Sequence, residues 1–98
     1  MNSVYITGEI AKQPLEMIDS ENKKAYYKLA IKTKRNAAKV DDHYDFVNLK
    51  VYKNQVDNIT KLDVGSKVFA IASFKSYGEY DNQDFNTELH ASLINELN

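Results

Sequence analysis

Tyr44-Asp45-Phe46-Val47-Asn48-Leu49-Lys50-Val51-Tyr52-Lys53 reads as a strand whose two faces differ in chemistry. Val47, Leu49 and Val51 recur with the period of two that a half-buried strand requires, and they supply a core face. Tyr44, Phe46, Asn48, Lys50 and Tyr52 occupy the other face. Since a core face already exists, the outward rings of Phe46 and Tyr52 are surplus to ordinary packing.

Working back from this strand, the polar stretch Arg35 to His43 has no periodicity and reads as a loop. Before it, Lys23 to Lys34 is a second strand, with Tyr27, Leu29 and Ile31 on one face and Tyr26, Lys28, Ala30 and Lys32 on the other. Ser3 to Ala11 alternates Val4, Ile6 and Ile10 with Tyr5, Thr7 and Glu9, and an interior Gly8 predicts a bulge or sharp bend. Lys12-Gln13-Pro14 breaks pairing, Leu15 to Ile18 is a short extended piece, and Asp19-Ser20-Glu21-Asn22 is turn chemistry.

Working forward, the period changes. Val56, Ile59 and Leu62 recur every three residues after Asn54, a residue suited to capping, so Asn54 to Asp63 is predicted as one short helix closed by Gly65. Lys67 to Lys75 is apolar on both faces (Val68, Phe69, Ala70, Ile71, Phe74), as in a central or strongly curved strand. Ser76 to Gln83 is predicted as a turn-rich loop, and Asp84 to Leu93 as the last strand with Phe85, Leu89, Ala91 and Leu93 inward.

Five short strands with one helix between the third and fourth predict an all-β fold, the five-stranded Greek-key barrel called the OB-fold. An SH3-like barrel is the alternative, and the position of the helix favours the OB-fold. At 98 residues, the chain is expected to be a single domain spanning 1–98. Closing the sheet into a barrel removes the exposed edges that so small a sheet otherwise leaves.

Composition removes several function classes. There is no cysteine, hence no disulfide, thiol nucleophile or thiolate zinc site. No signal-peptide pattern and no apolar run of membrane-spanning length occur, so a soluble cytoplasmic protein is expected. His43 and His90 stand in no metal-binding or triad pattern, and His90 is expected at the surface. The three glycines form no phosphate loop, and the cluster Asp41, Asp42 and Asp45 reads as a solvated loop end. The expectation is a binding protein, not an enzyme, with no metal and no cofactor.

The net charge of −1 argues against a generic nucleic-acid binder until its distribution is considered. Residues 23–39 hold Lys23, Lys24, Lys28, Lys32, Lys34, Arg35 and Lys39 and no acid, so this stretch carries seven positive charges. The remaining 6 basic and 14 acidic residues leave −8 elsewhere. If the second and third strands are neighbours, their outward stripes merge into a surface of rings interleaved with lysines. Such a surface suits single-stranded nucleic acid, because rings stack on bases and lysines follow the phosphates. The expected contact residues are Tyr26, Lys28, Lys32, Lys34, Arg35, Phe46, Asn48, Lys50 and Tyr52, joined by Lys75, Tyr77 and Tyr80 near the last loop. Two other readings use the same face: a protein-interaction or assembly module, and single-stranded RNA as the ligand.

The motifs also resemble a known family. Asn2-Ser3-Val4-Tyr5-Ile6-Thr7-Gly8-Glu9-Ile10, then Leu29-Ala30-Ile31, Asp45-Phe46-Val47-Asn48, Val51-Tyr52-Lys53-Asn54-Gln55, Gly65-Ser66 before Val68, and Thr87-Glu88-Leu89 are similar in order and spacing to the DNA-binding domain of bacterial and phage single-stranded DNA-binding proteins. The resemblance spans residues 2–97. It implies an OB-fold that binds single-stranded DNA in replication, recombination or repair, commonly as a homotetramer or dimer. It implies base-stacking roles for Phe46, Tyr52 and either Tyr77 or Tyr80, and phosphate contacts for Lys28 and Lys32. The chain departs from the family pattern in having no tryptophan, and Asn95-Glu96-Leu97-Asn98 is not the family's acidic tail. Partner recruitment through such a tail is therefore not expected.

Overall fold

The computed structural model describes residues 1–36, 43–52 and 59–97, with Thr60 and Asn82 described by their backbone only. Its strands are β1 (Val4–Ile10), β2 (Leu15–Ile18), β3 (Ala25–Lys34), β4 (Tyr44–Tyr52), β5 (Lys67–Glu79) and β6 (Asp84–Glu96). β1 pairs antiparallel with β5, β5 with β6, and β3 with β4. β6 runs parallel to β4 at Leu49 and Lys50, and β1 meets β3 at Glu9 and Ile10. These pairings close β1, β5, β6, β4 and β3 into the expected five-stranded barrel.

The short piece Leu15 to Ile18 is a strand in its own right. It lies antiparallel along the first half of β3, on the edge that β1 leaves open. β1 and β2 thus share one edge of β3, separated by the segment containing Pro14, which has no N–H to give a ladder.

Gly8 marks a close approach of two chain segments. A Cβ built there would collide with the carbonyl oxygen of Lys32 and the Cγ2 of Ile31, so a side chain at this position would force β1 off β3. Thr33 Oγ1 donates to Thr7 O across the same seam at 2.7 Å.

The inward stripes meet as expected. Ile10, Tyr27, Leu29, Ile31, Leu49, Val51, Val68, Ala70, Ala72, Ala91 and Ile94 form one buried cluster, with Ile59 and Leu62 packed into it. Of the expected helix, Asn54 to Asn58 lie outside the described residues, and Ile59–Lys61 form a single 3₁₀ turn. Gly65 N donates to Ile10 O at 2.8 Å, fastening the segment after this turn to the end of β1.

Two expectations for the second half are corrected. Ser76 to Gln83 is mostly not a loop: β5 runs on to Glu79 and pairs with β6 back to Asp84, so a long hairpin extends from the barrel. Only Tyr80–Asn82 form a 3₁₀ turn at its tip. Gly78 has φ of +118° and no room for a Cβ against Asp84, which suits glycine just before a tight reversal. The inward set of β6 also differs, because the pairing shifts between Ile71↔Leu93 and Ala72↔Ala91 and leaves Ser92 without a partner strand residue. This bulge reverses the alternation, so Ile94 rather than Leu93 is buried, while Phe85 lies on the extended hairpin and is exposed. Among the described residues no helix is long and apolar enough to cross a membrane.

Candidate nucleic-acid interface

The β3–β4 register decides whether the two outward stripes become one surface. Tyr26 pairs with Tyr52, Lys28 with Lys50, Ala30 with Asn48, Lys32 with Phe46, and Lys34 with Tyr44. Because cross-strand partners lie on the same face, the outward rings and lysines form one ladder of alternating rows. β2 widens it, since Leu15 pairs with Lys28 and Met17 with Tyr26, which puts both apolar side chains on this face. Their contribution was hidden in the sequence, where a four-residue strand is too short to show its phase.

Phe46 is the most open ring of the ladder, 68% exposed. It stands between two hollows. One is lined by Gln13, Leu15, Lys28 and Ala30, the other by Met17, Tyr26, Leu49 and Thr87. Both hollows include Lys28 and Asn48, so a base stacked on the ring has a cation and an amide within the same trough. Lys32 lies with its Nζ 4.1 Å from the centroid of the Tyr44 ring, a cation–π contact that keeps its charge at the rim of the ladder.

The far end of the ladder is packed. Tyr26 and Tyr52 meet edge to face at 6.1 Å, and Tyr52 is 6.0 Å from the His90 ring. Lys50 does not stand free as a phosphate contact. Its Nζ donates to Asp19 Oδ2 at 2.8 Å, and the two side chains are only 15% and 16% exposed. The Tyr52 hydroxyl donates to the same oxygen at 3.4 Å. His90 is also not the surface residue expected: it is 8% exposed, and its Nε2 lies 3.1 Å from Glu88 Oε2.

The hydrogen bond from Lys50, followed by that from the Glu21 N–H, holds the Asp19 carboxyl down to about 2. Burial pulls Lys50 toward the neutral form, but its hydrogen bonds to Asp19 and Tyr52 outweigh this and keep it firmly charged. A carboxyl with a lowered folded-state pKa stabilises the fold above its unfolded value and loses that contribution as pH falls through the folded one. Asp19→Asn is therefore expected to reduce stability near neutral pH, with the difference from wild type vanishing between about pH 4 and pH 2. Urea denaturation at several pH values checks this, and a difference that persists unchanged at the acid end contradicts it.

The remaining expected contacts divide. Arg35 forks onto Asp45, with Nη2 2.8 Å and Nε 3.2 Å from Oδ1, so its charge is partly spent within the protein. Lys34 is exposed at the end of β3, and Lys39, Asp41 and Asp42 lie outside the described residues. Tyr77 lines a hollow with Tyr26, Lys50 and Asp19, so it joins the packed end of the ladder from the hairpin. Lys75 stands two residues before it on β5, opposite Glu88. Tyr80 is 78% exposed in the tip turn, flanked by Glu79, Asp81 and Asp84, whose sign is opposite to that of β3.

Comparison with known proteins converges on one family. The model of the single-strand binding protein family matches residues 1–97. Comparison with curated protein sequences finds no match. Among solved structures, the mitochondrial single-stranded DNA binding protein Rim1 of S. cerevisiae is similar with a TM-score of 0.76 and 21% identity, over 97% of this chain and 92% of Rim1. The dimeric N-terminal domain of PriB from Thermoanaerobacter tencongensis gives 0.71 and 15%, over 99% and 97%. A Plasmodium falciparum SSB in complex with single-stranded DNA gives 0.68 and 19%, over 100% and 96%. At these identities the structural likenesses carry the fold.

Proposed function

Because the chain belongs to the single-strand binding protein family, we propose that its outer β3–β4 face binds single-stranded DNA, with Phe46 stacking on bases and Lys28 and Lys32 following the phosphates. The observation that carries this reading is the register that sets exposed Phe46 opposite Lys32, with Lys28 four residues along the same face. Rings accept every base by its π-face, so little sequence preference is expected. Tyr26, Tyr52 and Tyr77 extend the platform, Asn48 offers an amide within it, and Lys34, Arg35 and Lys75 act at its margins. The activity is binding without catalysis, in the cytoplasm, in DNA replication, recombination or repair. The protein works as a homo-oligomer, dimer or tetramer, as the dimeric PriB relative supports.

Fluorescence anisotropy with a labelled dT oligonucleotide tests the reading. Affinity is expected to fall as salt rises, with a logarithmic slope of about −0.7 for each phosphate neutralised on a single strand. Absence of binding at low salt and micromolar protein overturns it. Competition by a matched RNA oligonucleotide decides which nucleic acid is preferred.

A further inference from the structure

Lys50 stands one row from the packed end of the basic and aromatic ladder, opposite Lys28, where a phosphate contact is the first role to consider. Its surroundings fit a different role. A phosphate contact gains most from an ammonium that solvent reaches and that no acid has neutralised. Lys50 is mostly covered and already paired at 2.8 Å with a carboxylate as covered as itself. Binding a phosphate there would release no counterion, which is the term that drives phosphate contacts.

What Lys50 does touch is rings. Its Nζ lies 4.3 Å from the centroid of Tyr26 and 5.4 Å from that of Tyr52. Asp19 completes the arrangement: one oxygen takes Lys50 and the Tyr52 hydroxyl, and the other takes the Glu21 N–H at 2.9 Å. The backbone of Asp19 is itself fixed, donating to Lys24 O at 2.8 Å and accepting from Lys23 N at 2.9 Å. The turn between β2 and β3 is thus tied to β4 through one carboxylate, with the two tyrosines held around the ion pair.

We infer that Asp19 and Lys50 are positioning residues, a clip that sets the Tyr26 and Tyr52 rings in a fixed arrangement for stacking, and that Lys50 does not contact phosphate. The inference rests on the single-stranded DNA reading of this face. Such a clip lowers the entropy lost on binding, because the rings are ordered beforehand.

The test compares Lys50→Met and Asp19→Asn with Lys28→Ala across a salt series. Either clip variant is expected to weaken oligo-dT binding by about 3- to 10-fold at every salt concentration, the range of a partly desolvated cation–π contact, with the slope unchanged. Lys28→Ala is expected to lower the slope by about 0.7. In a Tyr26→Ala/Tyr52→Ala background the effect of Lys50→Met is expected to disappear, because the residue acts through those rings. A slope lowered by Lys50→Met as much as by Lys28→Ala overturns the inference. So do losses that multiply in the combined variant, or tighter binding by Asp19→Asn, which would make Asp19 a competitor of phosphate.

A second readout needs no nucleic acid. The Lys50 ε-methylene protons of the free protein are expected to be shifted upfield by the ring currents, and to move back in Asp19→Asn. Unshifted protons in the wild type overturn the clip. If the wild type does not bind the oligonucleotide, the DNA reading fails while this spectrum still decides the clip.

Discussion

Phe46→Ala is expected to weaken oligo-dT binding by about 5- to 150-fold, the equivalent of ~1–3 kcal/mol for one lost stacking partner. The ring is two-thirds exposed and stands between two hollows, so it contributes little to the core and much to what can lie in the trough. Melting temperature and oligomer mass are therefore expected to stay at wild-type values, since surface substitutions away from packed features usually alter stability by less than about 0.5 kcal/mol. Tyr80→Ala serves as the comparison. Its ring is more open still but stands among acids at the hairpin tip, and its loss is expected to cost far less affinity. Equal effects of the two variants, or an unchanged affinity for Phe46→Ala, would sink the assignment of the β3–β4 face. Loss of assembly with intact DNA binding would instead favour an interaction module.

Gly8→Ala is expected to act on the fold and to be the most damaging single-methyl change on β1. The added carbon would overlap the Lys32 carbonyl and the Ile31 side chain, and one of these obstacles is backbone. Relief requires β1 to move off β3, which breaks the short pairing at Glu9 and Ile10 and the Thr33 to Thr7 hydrogen bond. Overpacking of this kind costs about 1–3 kcal/mol or more, which for a domain of this size lowers the melting temperature by roughly 5–20 °C. Calorimetry at matched protein concentration measures it. A melting temperature within about 2 °C of wild type, a smaller shift than 1 kcal/mol produces, would mean that the seam is looser than the geometry indicates.

The legible parts of this molecule are those where one face of a strand meets the core through most of its length. β3 and β4 alternate without interruption, so the inward positions of Tyr27, Leu29, Ile31, Leu49 and Val51 and the outward row of Tyr26, Lys28, Lys32, Phe46 and Tyr52 are readable from spacing alone. The outer half of the hairpin is different. Residues 76–79 and 84–87 leave the barrel and have no core to impose a period, so Gly78, Asp81 and Asn82 look like a longer loop than the turn they make. The bulge at Ser92 is invisible because no residue type there demands it, yet it moves Leu93 outward and Ile94 inward. Within the site, the open position of Phe46 follows from its strand. The pairing of Lys50 with Asp19 depends on a register between residues 31 positions apart, and spacing along the chain does not report that.

The charge layout has a kinetic consequence. Lys28 and Lys32 face outward from β3, while Glu79, Asp81 and Asp84 crowd the hairpin tip, so the surface is polarised although the net charge is only −1. A polyanion drifting past is expected to turn toward the ladder and away from the tip before any atom touches. Part of the salt sensitivity then belongs to the rate of encounter, which long-range steering raises above that of an unpolarised surface and which added ions bring back down.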